Sequence, residues 1–339
     1  MKTIKVENAV GTVLAHDITR IVPGKFKGVG FKKGHIVRKK DIPELLKLGK
    51  KSLYVMTLNE NQLHEDDAAL RIARAVSDRS LRWTKPSEGK SGIVSKSAGL
   101  FKVDTHGLLK LNKIGNIIIS TLKNNLTVEG NQTIAATRII PLVISKKKIE
   151  RLEQIAEKHY PLLQVLPFKK MKVGAVVTGS EVFQGLVKDE FDQYIGKKFI
   201  GFGSTVVQKK LVPDDDALIA DAISQLKKNG CELIVTTGGL SVDPDDVTRK
   251  GIKMSGAKIV MYGTPILPGA MFLYAKYDDV PVLGLPACVF FHTFTVFDII
   301  LPRILVGDDI SRDEIAAMGH GGLCMNCQDC RYPVCTFGK

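Results

Sequence analysis

The chain has 339 residues, 44% hydrophobic and 25% charged, with 49 Lys and Arg against 35 Asp and Glu for a formal net charge of +14. Such length and apolar content provide for two or three domains with true cores and exclude a disordered, collagen-like or coiled-coil chain. No run of ~18 uncharged apolar residues is present to span a membrane, and the charged start Met1-Lys2-Thr3-Ile4-Lys5-Val6-Glu7 lacks a signal-peptide core, so a cytoplasmic location is expected.

Residues 1–58 read as short strands and turns, with strand-like segments at 12–15 and 54–56 and a Gly-rich stretch at 23–34. Asp41, Pro43 and Gly49 punctuate a short helix over 43–48, with Asp41 as its cap. Residues 64–76 carry a helical period, with Ala68, Ala69, Ile72, Ala73 and Val76 on one face and Glu65, Asp66 and Asp67 in the first turn. Between 89 and 144, alternating segments such as 108–111 and 133–137 predict a small β-rich domain. Residues 145–159 read as a helix with outward lysines, serving as a linker that ends before Pro161.

After residue 170 strands and helices alternate, the pattern of a doubly wound α/β domain. Residues 173–177 form a continuous apolar strand, as a sheet covered on both faces requires. A helix over 191–199 and a strand over 204–212 follow. Asp214 is placed at the N-cap of the next helix, with Leu218, Ile219, Ala222, Ile223 and Leu226 on its inner face and Lys227, Lys228 and Gly230 at its end. Strands at 233–235, 259–261 and 282–285 and a helix at 247–254 come next. Residues 290–305 are apolar nearly all round and predict a long buried helix.

The basic excess is confined to the first half: residues 1–170 hold 32 Lys and Arg against 15 Asp and Glu, whereas 171–339 hold 17 against 20. These cations are scattered, and aromatics make up only 6% of the chain. No stacking platform for nucleic acid is evident; an anionic membrane or a small anionic ligand would also suit the asymmetry, and most of these side chains read as a solvated basic surface.

Two loops carry chemistry. Thr178-Gly179-Ser180-Glu181 follows the strand ending at Val177, and Thr236-Thr237-Gly238-Gly239-Leu240-Ser241-Val242-Asp243-Pro244-Asp245-Asp246-Val247-Thr248 follows the strand ending at Val235. Loops at the carboxyl ends of parallel strands form the ligand crevice of open α/β sheets. Adjacent glycines let the backbone approach an oxyanion, hydroxyls add donors, and the Asp cluster offers hard oxygens suited to Mg²⁺.

These segments carry a resemblance. Residues 172–305 resemble the molybdopterin-binding domain shared by molybdenum insertases, molybdopterin adenylyltransferases, gephyrin and CinA-type proteins. The matching segments, in order, are Thr178-Gly179-Ser180-Glu181, Val212-Pro213-Asp214-Asp215, Gly238-Gly239 running into Asp246-Val247-Thr248, and Gly284-Leu285-Pro286. Residues 1–80, notably Ala9-Val10-Gly11-Thr12-Val13-Leu14-Ala15-His16-Asp17-Ile18, are similar to the insertase N-terminal region. Where insertases follow Leu-Pro with Gly-Asn-Pro, this chain has Ala287-Cys288-Val289.

The resemblance implies a binding site for molybdopterin formed by Thr178, Gly179, Ser180, Glu181, Thr237, Gly238, Gly239, Leu240, Ser241, Asp243 and Thr248. Asp214 and Asp246 would be catalytic carboxylates, with Mg²⁺ at Asp246. It implies a transferase of molybdenum cofactor biosynthesis, inserting molybdate or transferring a nucleotide onto molybdopterin. A non-catalytic cofactor carrier or redox-linked sensor serving a molybdoenzyme, and a CinA-like nucleotide hydrolase, stand as alternatives. A homodimer is implied as well. The domain plan is an insertase-like region at 1–83, a β-rich domain at 84–145, a linker helix at 146–170, the α/β domain at 171–310 and a Cys-rich segment at 318–339.

That last segment holds four of the six cysteines, Cys324-x₂-Cys327-x₂-Cys330-x₄-Cys335. Thiolates two residues apart can converge on one metal centre, and both an Fe–S cluster and Zn²⁺ fit the spacing, with His320 as a spare ligand. Disulfides are the alternative, disfavoured in a reducing compartment. Cys231 and Cys288 read as buried small hydrophobes.

Overall fold

The apolar positions gather into separate cores in the computed structural model, which describes residues 2–55, 60–244 and 247–338. The chain divides into two units, Met1–Leu166 and Pro167–Lys339.

In the first unit, residues 2–55 close a small core of Val6, Leu14, Ile18, Phe31, Leu45 and Leu53. It is framed by the antiparallel pair Lys2–Lys5 and Ser52–Val55, the hairpin Ile18–Val22 and Phe26–Phe31, and the helix Ile42–Lys47. Asp41 stands at the cap position but turns its carboxylate backwards. It accepts from Arg38 N at 2.9 Å and meets His35 Nε2 at 2.7 Å. Met56, expected to continue a strand, lies outside the described residues.

Helix Glu65–Val76 buries Ala68, Ala69, Ile72, Ala73 and Val76, as its period requires, and His64 caps it by accepting from Asp66 N at 3.2 Å. The helix Lys146–Lys158 is no linker: Ile149, Leu152 and Ala156 share one core with Ile72, Ile93, Phe101 and Ile134. Its apolar stripe needs a partner surface, and the lysines occupy the opposite side. The boundary expected at 83/84 also falls within this body, because strand Leu81–Trp83 pairs with Lys90–Ser95. Residues 108–111, expected as a strand, belong to helix Thr105–Asn112. Asp104 caps that helix by accepting from Gly107 N at 2.9 Å, and this local signal outweighs the alternation.

The second unit is built on a six-stranded sheet. Its strands are β1 (Lys172–Thr178), β2 (Thr205–Val212), β3 (Leu233–Thr237), β4 (Lys258–Tyr262), β5 (Leu273–Tyr277) and β6 (Val280–Leu285), in the spatial order β2-β1-β3-β6-β5-β4. The first four in that order are parallel, while β5 and β4 add an antiparallel edge that the sequence pattern did not reveal. Helices α1 (Asp216–Lys228) and α2 (Thr248–Met254) pack with Val176, Ile234 and Val282 on one face. On the other, α3 (Val296–Leu305) packs against Val173, Ala175, Val177 and Leu283. Covering both faces explains the unbroken apolar runs of β1 and β3.

The helix expected over 290–305 is interrupted, with a 3₁₀ turn at Ala287–Phe290 and α3 beginning only at Val296. Thr295 starts α3 with a reciprocal cap: its hydroxyl accepts from Phe297 N at 3.2 Å, and Asp298 accepts from Thr295 N at 2.7 Å. Over 191–199 the helix is split between a π-helical turn, Asp192–Gly196, and an α-helical turn, Lys197–Gly201. Leu218, placed on the inner face of α1 from its period, is exposed. No helix among the described residues is long and apolar enough to cross a membrane.

Two outcomes follow from the first unit. Leu152→Ala should lower the unfolding free energy by roughly 2–5 kcal/mol, against about 0.5 for an exposed linker position, as read by urea denaturation. Burial, helped by Asp66, pushes the Glu65 carboxyl up to about 6. A carboxyl whose folded value is raised contributes stability at low pH and loses it as pH rises through that value. Glu65→Gln should therefore raise the melting temperature at pH 7.5 relative to wild type and leave it nearly unchanged at pH 4.

Candidate functional site

Parallel register brings the carboxyl ends of four strands to one level. Thr178 lies opposite Val212, Val177 opposite Thr237, and Thr237 opposite Leu285. The four segments singled out in the sequence follow those ends directly, so their loops emerge along one edge of the sheet.

At the β1 and β2 tips, Asp214 and Ser180 form a pair. The Asp214 carboxylate accepts from Ser180 N at 2.8 Å and from Ser180 Oγ at 3.1 Å. Asp214 does not cap α1: that position belongs to Asp215, which accepts from Leu218 N at 2.9 Å. Asp214 is thus committed to bridging two strand tips. Gly179 precedes the single helical turn Ser180–Phe183, on which Glu181 is exposed.

After β3 the backbone turns through two consecutive residues with positive φ, Gly238 at +87° and Gly239 at +57°. Side chains there would also collide, since a Cβ on Gly238 would lie 2.6 Å from the Thr178 carbonyl oxygen and one on Gly239 2.5 Å from Thr248 Oγ1. Thr178 and Thr248 brace this turn. The Thr178 hydroxyl donates to Thr237 O at 2.9 Å and lies 3.2 Å from Thr248 Oγ1, while Thr248 N donates to Gly239 O at 3.1 Å. Thr178, Thr237 and Thr248, read from the sequence as ligand donors, are all buried. Their place is the framework under the loop rather than its exposed face.

Beyond the turn, Leu240 is buried and its carbonyl accepts from the Tyr262 hydroxyl at 2.6 Å. Ser241, Val242 and Asp243 are exposed. With Gly239, Arg249 and Tyr262 they surround a hollow of about 300 Å³. The Arg249 guanidinium lies 4.8 Å from the centre of the Tyr262 ring, an arrangement that holds the cation at the rim. Ser180 and Asp214 do not line this hollow. Asp246, read as a catalytic carboxylate, lies outside the described residues. Sequence reading passed over Arg249 and Tyr262. Adjacency to Thr248 was the only signal for Arg249, and none existed for Tyr262 on a distant edge strand.

Comparison with known proteins assigns part of the chain to a described family. Residues 174–305 match the family described as "Probable molybdopterin binding domain". These residues form a domain of the molybdopterin-binding family. Residues 3–57 match a family described only as a domain of unknown function. A CinA-like protein of Amoebophilus asiaticus is 32% identical over 82 residues, covering 24% of this chain and 20% of that protein. A CinA-like protein of Thermosipho melanesiensis is 34% identical over 85 residues, covering 25% and 21%. The matched stretches thus span about a fifth of these curated relatives. Among solved structures, the molybdopterin biosynthesis enzyme MoaB of Thermus thermophilus matches at 19% identity and a TM-score of 0.34, covering 41% of this chain and 98% of that one. A molybdopterin biosynthesis MoeA protein of Pyrococcus horikoshii matches at 13% identity and a TM-score of 0.35, covering 90% and 74%.

In the molybdopterin-binding domain, then, the double-glycine turn is a rigid support and the 241–243 segment is its exposed face. Gly238→Ala should cost roughly 1–3 kcal/mol of stability from positive φ and contact with Thr178, measured by thermal or denaturant unfolding. A variant as stable as wild type would show that the turn relaxes freely.

Proposed function

We propose that the C-terminal domain binds molybdopterin by its phosphate-bearing end at the hollow beside Ser241, and that the protein acts in molybdenum cofactor biosynthesis, by molybdate insertion or nucleotidyl transfer. The observation that carries this reading is an exposed Arg249 fixed against Tyr262 beside a hydroxyl, on a braced strand-tip loop of a molybdopterin-binding-family domain. Phosphate recognition needs donors and positive charge held in place before the ligand arrives, and Ser241 and Arg249 supply both.

In this reading Gly238 and Gly239 keep the backbone low so that the ligand can approach. Leu240 anchors the loop to the core. Asp243 brings a hard oxygen donor to the rim of the hollow, the kind of ligand Mg²⁺ takes, and Asp246 is proposed as its companion. Mg²⁺ would supply charge neutralisation for phosphoryl chemistry. Asp214, held by Ser180, positions the neighbouring strand tip. The basic excess of residues 1–170 adds a long-range pull on anionic ligands, molybdate included.

Arg249→Ala should weaken molybdopterin binding roughly tenfold, the loss of one exposed charge-assisted contact, in a fluorescence titration. Affinity should also fall as salt rises from 50 to about 300 mM. Unaltered affinity in Arg249→Ala would remove the hollow from ligand binding. Turnover of molybdopterin with ATP, Mg²⁺ and molybdate distinguishes a transferase from a carrier, and abolished turnover in Asp246→Ala would assign that carboxylate to the reaction. The local similarity to CinA-like proteins favours one second reading, a nucleotide hydrolase. Nucleotide hydrolysis without pterin would select it.

A further inference from the structure

Outside the strand-tip site, the densest set of chemically active side chains lies in the segment after α4 (Arg312–Ala317). Cys324, Cys327, Cys330 and Cys335 all line one hollow of about 300 Å³, together with His292. All four thiols are free of disulfides. Cys324 and Cys335 are half-buried against the core of the second unit, and Cys327 and Cys330 are exposed. His320, a candidate ligand in the sequence, is not among the residues around the hollow.

The chain is tied down on both sides of this loop. Leu267 N donates to Gly322 O and Cys324 N donates to Leu267 O, both at 2.8 Å. Phe337 is buried in the core, and Gly338 N donates to Gly321 O at 3.0 Å, closing the loop on itself. The Tyr332 ring lies 4.5 Å from Phe294. Asn326, in the left-handed region at φ +49°, turns the backbone between Cys324 and Cys327. Yet between Met325 and Thr336 the chain forms neither helix nor strand. Between these anchors an irregular loop carries four cysteines around one hollow, the kind of loop that a bound centre fixes in small metal-dependent folds.

The kind of centre is read from the cysteine spacing, since Cys324-x₂-Cys327-x₂-Cys330 approaches the ferredoxin run. Among the described residues, no three His, Cys, Asp or Glu side chains stand close enough to share one ion. The four thiols border one hollow, where a polynuclear cluster would place its irons and sulfides between them. Phe294, Tyr332 and Phe337 form an aromatic side of the hollow.

We propose that Cys324, Cys327, Cys330 and Cys335 hold an iron–sulfur cluster, a site independent of the molybdopterin reading. The full chain, purified without oxygen or rebuilt with ferrous iron and sulfide under reducing conditions, should be brown. It should contain about four irons and four acid-labile sulfides if the cluster is a cubane. Cys327→Ser and Cys330→Ser, at exposed positions, should each lower iron content at least twofold and bleach the visible band. Molybdopterin affinity in these variants should be unchanged, so that the two sites fail separately. A colourless protein carrying one zinc per chain would overturn the proposal. So would a protein that takes up no iron on reconstitution, or variants that keep the full iron complement.

Discussion

The Thr178 hydroxyl, donating to the Thr237 carbonyl and lying against Thr248, ties two strand tips to the loop between them. A buried carbonyl left without a partner costs on the order of 1–3 kcal/mol, so this bond does more than fill space. It pulls the β3 loop down onto β1, and only glycine at 238 and 239 can occupy the resulting gap. Leu240 then enters the core, and Tyr262 holds its carbonyl from a strand three places along the sheet. The exposed side chains of the loop begin at Ser241, because Thr237 and Leu240 before it are buried in holding the turn.

The same separation of framework from exposed face recurs through the second unit. The inner parallel strands β1, β3 and β6 are buried, and the common register of the parallel strands makes a level edge from which the loops rise. Asp214 crosses that edge to Ser180 instead of capping its own helix. Farther along, the buried Arg303 donates to Asp308 at 2.6 Å and to Glu314 at 2.7 Å, pinning α4 to α3. A guanidinium so deeply buried requires both partners, since either carboxylate alone would leave donors unsatisfied. That clamp fixes the point from which the cysteine-rich segment departs.

Legibility varied with the range of the forces involved. Strong local patterns were readable: the helix at 65–76 from its apolar period, and the β1 and β3 strands from unbroken apolar runs. Local capping was misjudged where a carboxylate had a choice of donors. Asp41 and Asp214 both sit beside helix starts and both bond elsewhere, to Arg38 and to Ser180. Residues 108–111 alternate like a strand yet form a helix, because the decisive cap lies upstream at Asp104. The helix at 146–158 looked like a linker because a sequence does not display the surface against which its stripe will pack.

By itself, the sequence determined the α/β character of residues 171–310, the glycine-bearing loops at the strand tips, and the spacing of four thiols. Each follows from interactions within a few residues: periodicity, glycine turns and cysteine intervals. The tertiary structure decided which of the loop's hydroxyls are buried supports and which face outward, and it brought Arg249 and Tyr262 together over the hollow. It also set the four cysteines around one hollow. Those outcomes depend on strand order and on the register between distant segments, which arise only when the whole sheet has closed its core.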